Sequence, residues 1–303
     1  MLERVEPMTR PARLAVGVVS AGRVGAVLGA ALGRAGHTVT AVSAVSKASL
    51  GRAEALLPDA SVRPPDEVAR DADLVLLAIP DDVLPGMVRG LAAAGSLRPG
   101  QIVVHTSGAH GVDVLAPAAE QGALTLALHP VMTFTGRAED LERIAACCFG
   151  VTAADDDIAA WNVAEALVVE MGAEPVRVPE KSRPLYHTAL AHGANHLVTL
   201  VGECADLLRT ADVGIPERLL GPLLSAALDN ALRHGDRALT GPVARGDAGT
   251  VRKHVRVLAD SAPEMLPAYR ALAARTAYRA SESGLLRADL VADVEAAITE
   301  EPS

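Results

Sequence analysis

Aromatic residues are nearly absent from this sequence: phenylalanine, tyrosine and tryptophan together make up 2% of its 303 residues. Half of the residues are nonetheless hydrophobic, so the core has to be built mainly from alanine, valine and leucine. The length allows two domains of ordinary size, because a single core rarely grows beyond roughly 250–300 residues.

An excess of basic residues is also missing. Lysine and arginine total 28 against 37 acidic residues, which gives a formal net charge of −9. Because a nucleic-acid backbone needs a basic face, we expect no such partner, although a local basic cluster can still bind a small anion. The three cysteines, Cys147, Cys148 and Cys204, have neither metal-binding nor disulfide-framework spacing. That usage is typical of a reducing compartment, and we expect a cytoplasmic protein.

No apolar run is pure enough to predict a membrane span. The nearest is residues 185–202, which contains no Asp, Glu, Lys or Arg and approaches the threshold of about 18 apolar residues. It carries His187, His192, Asn195 and His196, which hydrocarbon tolerates poorly. We therefore predict a soluble helix that is buried on most sides. Such an apolar helix does not suit a monomer surface, which predicts a homodimer through the helical part of the chain.

Short apolar runs alternate with amphipathic stretches between residue 13 and about residue 178. The runs that predict strands buried on both faces are 14–19, 38–42, 74–79, 102–105, 124–129 and 149–152, and 174–178 predicts one last strand. The stretches that predict helices are 23–35, 49–57, 83–94, 112–121 and 158–171. This alternation indicates the α/β fold class, with a mostly parallel sheet covered by helices on both faces.

The pattern changes after Pro179, where long helical periods follow one another and no strand is predicted. The predicted helices are 186–210, 217–234, 248–261 and 268–283, with a short one from 287. Glycine and proline residues separate them. We therefore predict two domains, 1–179 and an all-helical 180–303, with the boundary near Pro179–Pro184.

A glycine-rich turn joins the first predicted strand to the first predicted helix. Free N–H groups at a helix N-terminus and the helix dipole together favour a bound diphosphate. In the fingerprint G-x-G-x-x-G, Gly22 and Gly25 fill the second and third positions, and Ser20 replaces the first glycine. The alternative is a helix–strand crossing that merely needs small residues. The strand before and the helix after favour a Rossmann-type dinucleotide site, formed by Ser20, Ala21, Gly22, Arg23, Val24 and Gly25.

The end of the second predicted strand bears on the choice of cofactor. NAD-preferring sites usually place Asp or Glu there to hold the ribose hydroxyls. This chain has no carboxylate at that point and offers Ser43, Ser46, Lys47 and Arg52 instead. We predict NADP as the cofactor, the alternative being an ordinary polar loop.

Three later strands also end in polar loops, at 78–82, 105–108 and 129–134. Ligands of open parallel sheets bind beyond the carboxyl ends of the strands. We predict that Ile79 and Pro80 border the nicotinamide ribose and that Ser107 belongs to the cofactor site. Each loop alone could be a turn with polar punctuation.

The helical domain holds the candidates for catalysis. His187 and Asn195 fall on one face of a helix, where they either meet a ligand or form a satisfied polar pair. His192 and His196 lie one turn apart without a third ligand at a definite spacing, so no metal site is predicted. A glycine-rich loop with Thr240, Arg245 and Asp247 can cap helices or clamp an anion, and Arg245 can hold a carboxylate bidentately.

Several of these segments together resemble one bacterial family, which pairs a Rossmann-like domain with a helical domain of unknown function. They are the turn 19–25, the loop 105–108, His129-Pro130, Leu185-Tyr-His187 with Asn195, and Thr240-Gly-Pro-x-x-Arg-Gly-Asp247. The family is similar in design to pyrroline-5-carboxylate reductase, β-hydroxyacid dehydrogenases and ketopantoate reductases. The resemblance implies a helical domain that dimerises and an active site in the cleft between the domains, with ketopantoate as one candidate substrate.

One feature departs from the hydroxyacid dehydrogenases of this design, which carry a catalytic lysine in the first helix of the second domain. The only lysines here are Lys47, Lys181 and Lys253, and Arg183 lies closest to the expected position. Arginine is a poor proton donor because it stays protonated, so a histidine or a water has to supply the proton.

These observations predict an NADPH-dependent reductase of a small 2-oxo acid or imine. His187 is the expected proton donor, Asn195 the group that orients the acceptor, and Arg245 the carboxylate clamp. One alternative is a non-catalytic dimer that senses or scaffolds through its dinucleotide. A weaker one is a methyltransferase, because those enzymes also use glycine-rich turns.

Overall fold

The computed structural model describes residues 13–154 and 157–301, so the first twelve residues of the predicted first domain lie outside it. The chain divides into two compact units, one ending at Ala191 and the other beginning at His192. The sequence placed the boundary near Pro179–Pro184. The first unit extends further because Arg183, Tyr186 and His187 contact its strands and loops.

Eight strands of the described residues form one sheet in the first unit. They are β1 (Ala15–Val19), β2 (Thr38–Val42), β3 (Ser61–Val62), β4 (Leu74–Leu77), β5 (Ile102–His105), β6 (Leu124–Pro130), β7 (Cys148–Thr152) and β8 (Glu174–Arg177). Their order in the sheet is β3-β2-β1-β4-β5-β6-β7-β8. The first six strands follow the order of a Rossmann sheet, which confirms the predicted fold class.

One strand pair departs from the parallel arrangement. β6 and β7 are antiparallel, with His129 opposite Gly150, while all the other neighbours run parallel. The alternation of strands and helices predicted a mostly parallel sheet, and the structure confirms it with this one exception. The alternation could not reveal the reversal, because a strand buried on both faces has the same pattern in either direction.

The sheet has helices on both faces, as predicted. The α-helices of the first unit are α1 (Arg23–Arg34), α2 (Lys47–Leu56), α3 (Pro65–Arg70), α4 (Leu84–Ala93), α5 (Ala116–Ala119), α6 (Glu139–Ile144) and α7 (Ile158–Glu170). The predicted helix 112–121 is a 3₁₀ turn, Val112–Leu115, followed by α5. The sequence missed β3, α3 and α6, which are too short to show a period.

The core of the first unit lies on the two faces of the sheet. Along β4, Leu74 and Leu76 pack into one hydrophobic cluster and Val75 and Leu77 into the other. A strand that buries both of its faces therefore explains the continuous apolar run that the sequence shows there. The carboxyl ends of β1, β4, β5 and β6 share one edge, because these strands are parallel neighbours.

The described residues of the second unit form helices joined by short turns, with no strand among them. The chain continues through α8 (Arg183–Thr210), α9 (Pro216–His234), α10 (Gly241–Arg245), α11 (Ala248–Ser261), α12 (Leu266–Glu282) and α13 (Val291–Thr299). The helix α8 contains the division between the two units. Buried Val251, Ala277 and Val294 come from α11, α12 and α13 and belong to one core cluster. The prediction of an all-helical second domain is confirmed, and α10 is a short helix that the sequence did not predict.

Two helices leave apolar side chains uncovered. In α8, Leu185 is 76% and Val198 73% exposed, and in α9 Leu223 is 65% and Leu232 79% exposed. The prediction that residues 185–202 are buried on most sides is therefore wrong for the single chain. Composition alone cannot distinguish a helix covered by its own chain from one that its own chain leaves open. Among the described residues, no helix combines the length and the apolar character needed to cross a membrane.

Candidate functional site

The turn between β1 and α1 has the geometry that a diphosphate requires. Ser20 has a φ of 80°, the left-handed backbone that glycine usually supplies, so it adopts the conformation of the glycine it replaces. Its N–H donates to Ser43 Oγ at 2.8 Å, and Arg52 Nε donates to the Ala21 carbonyl at 3.0 Å. The helix α1 begins directly afterwards, with Gly22 as its N-cap. Hydrogen bonds to the loop after β2 and to α2 therefore stabilise the turn.

The two glycines of the turn serve different purposes. A Cβ on Gly25 would overlap the Ser20 carbonyl oxygen, so the fold of the turn needs glycine there. A Cβ on Gly22 would lie 3.5 Å from Ser20 Oγ and 3.7 Å from the Ala78 oxygen, which are ordinary contacts. The protein alone has room for a side chain at Gly22. A bound diphosphate lying against the backbone would explain why that room is kept.

A cleft of about 720 Å³ adjoins this turn, which is within the range of small-molecule sites. Its lining includes six residues that the sequence assigned to the cofactor or placed nearby: Ser20, Gly22, Ser43, Ser46, Arg52 and Ile79. Lys47 is exposed at the first position of α2, and Pro80 is exposed after β4. Arg23 and Val24 form the first turn of α1, and Ala21 is buried beneath it.

The structure adds Arg63 to the cleft, beyond the end of the two-residue strand β3. The sequence did not indicate it, because no periodic pattern marks so short a strand. Ser46 caps α2 by accepting a hydrogen bond from the Ser49 N–H at 3.0 Å. None of the described residues lining the cleft is acidic. The cleft therefore offers hydroxyls and two guanidinium groups, those of Arg52 and Arg63, and its lining fits a phosphorylated ribose.

His105, at the end of β5, is a structural histidine. Its Nδ1 accepts a hydrogen bond from the Ser107 N–H at 3.1 Å, and its Nε2–H donates to the Gly111 carbonyl at 2.8 Å. Burial lowers its pKa to about 4, so it is neutral at physiological pH. Ser107 Oγ accepts hydrogen bonds from the N–H groups of Ala109 and His110. These contacts order the loop after β5, which includes Ser107.

We expect His105 to make folding stability depend on acid. Its pKa is about 4 in the folded chain against 6.5 as the reference, so the unfolded chain binds more protons between these values. The contribution of His105 to the free energy of unfolding is therefore fully present above pH 6.5. It falls by about 3 kcal/mol as the pH drops toward 4. Urea unfolding at several pH values measures the loss, which His105→Asn should reduce. Exposed His234→Asn is the control, and an equal acid loss in both variants would contradict the assignment.

A second polar cluster joins β6 to the start of α8. His129 Nδ1 and Tyr186 Oη are hydrogen-bonded at 2.8 Å, and the His187 ring centroid lies 6.2 Å from that of His129. Two glycines leave room for these side chains. A Cβ on Gly150 would overlap Tyr186 Oη, and one on Gly108 would lie 2.7 Å from His187 Cδ2 and 2.9 Å from His129 Nε2. The first unit alone thus gathers two imidazoles and a phenol beside the loop after β5.

His129 and Tyr186 are both neutral at physiological pH. Burial, together with the nearby Arg183 charge, lowers the pKa of His129 to about 4. Burial also raises the pKa of Tyr186. His129 and Tyr186 both lie in sequence motifs, but the sequence predicts no role for either, because their partnership depends on contact between distant segments.

Arg183, the residue nearest to the position where the resemblance led us to expect a lysine, is buried and has a structural role. Its guanidinium donates to Thr152 Oγ1 at 2.8 Å and to the carbonyls of Ser107, Ala127 and Gly150 at 3.2, 3.1 and 2.9 Å. All three of its nitrogens are engaged, and the charge faces oxygen dipoles. Arg183 therefore fastens three neighbouring segments and is not placed to donate a proton to a ligand.

The other predicted site residues lie in the second unit. Asn195 is exposed on α8, about two turns beyond His187, and Arg245 is exposed at the end of α10. After it, Gly246 adopts a left-handed φ of 79°, and Asp247 Oδ1 caps α11 by accepting from the Thr250 N–H at 3.0 Å. This segment therefore caps helices, one of the two roles that the sequence allowed. The roles of His187, Asn195 and Arg245 in catalysis stay predictions.

Comparison with known families matches this architecture in two segments. Residues 4–130 match the Rossmann-like domain, and residues 147–276 match a domain of unknown function, DUF2520. The chain belongs to the family that joins these two domains. The resemblance inferred from the motifs is thereby confirmed, since both halves of this family's architecture are present in order.

Several solved structures have a fold similar to that of this chain. A Bacteroides fragilis protein, provisionally described as an NADP oxidoreductase, has a TM-score of 0.73 at 21% identity, over 88% of this chain and 98% of its own. An imine reductase of a Pseudomonas species has 0.60 at 20%, over 94% and 99%. The pyrroline carboxylate reductase of Plasmodium falciparum, solved with NADP bound, has 0.57 at 10%, over 93% and 98%. A search of the curated proteins finds no match.

Proposed function

We propose that this protein is an NADPH-dependent reductase of a small 2-oxo acid or imine, with ketopantoate among the candidates. The observation that carries the proposal is the turn 20–25, where Ser20 adopts a glycine conformation and Gly22 keeps free a space that the fold does not need. The names of the structural neighbours support reductase chemistry on a nicotinamide cofactor. When bound, that cofactor supplies the hydride.

The cleft favours NADP over NAD. A 2′-phosphate carries negative charge, and the described lining offers the guanidinium groups of Arg52 and Arg63 and no carboxylate to repel it. Arg52 Nε donates to the buried Ala21 carbonyl, whereas Arg63 is exposed after β3 and its guanidinium pairs with Asp71 Oδ2 at 3.3 Å in an exposed ion pair, which a 2′-phosphate can replace at little cost. Arg63 is therefore the group that we expect to respond most to the 2′-phosphate.

The test is a pair of calorimetric titrations, followed by a substrate panel. Arg63→Ala should weaken NADPH binding about 10-fold and leave NADH binding unchanged, as expected for one charged contact. Arg34→Ala, whose side chain pairs with Glu142 on the surface, is the control. NADPH absorbance is then followed with ketopantoate, other 2-oxo acids and cyclic imines. No saturable binding of either cofactor at millimolar concentration would overturn the proposal.

A dinucleotide-binding sensor or scaffold is the second candidate. The engagement of Arg183 in four hydrogen bonds favours it, because the position of the usual catalytic lysine is given to a structural role. Steady consumption of NADPH with any member of the panel eliminates this candidate.

We further propose that the protein acts as a homodimer through its helical domain. Leu219, Leu223, Leu228 and Leu232 of α9 are all more than half exposed, an arrangement that a second copy would relieve. Leu223→Glu combined with Leu232→Glu should convert a dimer into a monomer in light scattering. Leu50→Glu, an exposed leucine of the first unit, should leave the dimer intact. A monomeric wild type at micromolar concentration would contradict the proposal.

A further inference from the structure

The contact between His129 and Tyr186 is built by two elements that are distant in sequence. His129 lies on β6 directly opposite Gly150 of β7, and Tyr186 lies on the first turn of α8. Because Gly150 has no side chain, the phenol reaches over β7 and places Oη 2.8 Å from His129 Nδ1. Arg183 contacts Gly150 and Tyr186 as well. Its guanidinium donates to the Gly150 carbonyl and lies 5.6 Å from the Tyr186 ring centroid.

The donors and acceptors of the pair determine which nitrogen of the His129 ring carries the proton. A neutral imidazole has one N–H and one acceptor nitrogen. Within the described residues, His129 Nδ1 is the hydrogen-bond partner of the Tyr186 hydroxyl. If Nδ1 carried the proton, the phenolic O–H would be left without an acceptor there. The arrangement that satisfies both groups has Tyr186 donating to Nδ1, with the imidazole proton on Nε2.

The Nε2 atom of His129 faces the loop after β5. A Cβ on Gly108 would lie 2.9 Å from it, so the absence of a side chain at this position leaves a space beside Nε2 that the His187 ring also borders. No acceptor for this N–H is found among the described residues. His105 differs in this respect, because its two nitrogens are both satisfied by the loop. His129 Nε2–H is thus a donor that the fold orients and does not itself use.

We propose that His129 and Tyr186 form a proton relay that delivers one proton, through His129 Nε2, to the heteroatom of the reduced double bond. This inference rests on the proposed reductase function and identifies the acid of that reaction. As the substrate oxygen or nitrogen gains the proton, the Nε2–H bond breaks. At the same time Nδ1 takes the proton of Tyr186 as the Oη–H bond breaks. Once the product has left, solvent delivers one proton to Nε2 and Nδ1 returns its proton to the phenolate oxygen, which restores the starting tautomer. The substrate receives one proton from the chain and one hydride from the cofactor, which balances the reduction.

The relay explains how a histidine that is neutral at physiological pH serves as an acid. An imidazole whose pKa lies near 4 holds too little imidazolium at pH 7 to act as a simple donor. Because Nε2 loses a proton while Nδ1 gains one, His129 never has to become a free imidazolium. The buried Arg183 charge beside the phenol opposes the build-up of positive charge on His129 and stabilises a transient phenolate.

The first test needs neither cofactor nor substrate. Nitrogen-15 NMR of the full chain, with His129 assigned by comparison with His129→Asn, should show the neutral Nε2–H tautomer at pH 7. Tyr186→Phe should shift the Nδ1 resonance toward that of a nitrogen without a hydrogen bond. A wild-type His129 protonated on Nδ1 would overturn the relay, whatever the cofactor results show.

The second test uses any panel substrate that the wild type reduces. His129→Asn should lower kcat about 10²–10⁴-fold, the usual range for a lost acid, with NADPH affinity unchanged. Tyr186→Phe should lower kcat without changing the circular dichroism spectrum, and it keeps the test usable if His129→Asn fails to fold. His234→Asn, far along the chain at the end of α9, is the control. A loss confined to His187→Ala would overturn the relay and assign the donor to His187. Failure of NADPH to bind would count against the reductase function, while the tautomer would still decide the relay.

Discussion

Replacing Gly22 by alanine should weaken NADPH binding about 100-fold and leave the melting temperature within about one degree of the wild type. The added Cβ has ordinary contacts at 3.5 and 3.7 Å within the protein, so the turn accepts it. A diphosphate lying against the backbone at this point cannot accept it, because the methyl group occupies the approach. Calorimetric titration with NADPH and thermal unfolding measure the two quantities on the same sample.

Gly25→Ala is the matched variant for this experiment. Its Cβ would overlap the Ser20 carbonyl oxygen and lie 2.9 Å from the Ala78 Cβ, so the turn itself has to move. We expect Gly25→Ala to lose stability by about 2–3 kcal/mol together with cofactor binding. Normal NADPH affinity in Gly22→Ala would show that the diphosphate does not lie at this turn.

Replacing Arg183 by methionine should destabilise the first unit by about 3–5 kcal/mol, as expected when one partner of a buried charged network is removed. The change leaves the Thr152 hydroxyl and the carbonyls of Ser107, Ala127 and Gly150 buried without this donor. Urea unfolding gives the free energy of unfolding. Arg183→Lys should recover part of it, since an ammonium donates three hydrogen bonds from a single point.

Arg177→Met is the control for this loss. Arg177 is exposed on β8 and lies over the Trp161 ring at 5.1 Å, so its removal should change stability by no more than about 1 kcal/mol. If Arg183→Met were as stable as the wild type and had lost only activity, Arg183 would act on a ligand, and the structural role assigned to it would be wrong.

The glycine turn shows where sequence reasoning was strongest. Ser20 departs from the fingerprint, yet its φ of 80° shows that serine takes the backbone conformation of glycine there. The absence of a carboxylate after β2 was visible from the sequence and holds for the described lining of the cleft. Arg63 was not visible, since a strand of two residues has no period. Of the two guanidinium groups in the cleft, the sequence therefore predicted Arg52 and missed Arg63.

The sequence by itself determined the features that a short segment encodes. These are the β1–turn–α1 unit, most strands and long helices, the change to an all-helical domain, and the family. Each depends on residues within one or two elements, where hydrophobic period and turn chemistry act locally.

The tertiary structure alone decided how distant segments meet. The reversal of β7 places Gly150 opposite His129. The first turn of α8 places Tyr186 against His129 and Arg183 against Gly150. A strand buried on both faces has the same sequence pattern in either direction, and a buried arginine is indistinguishable from an exposed one until its partners are known. The partnership of His129 with Tyr186 therefore depends on contacts between segments far apart in the chain, which no local pattern records.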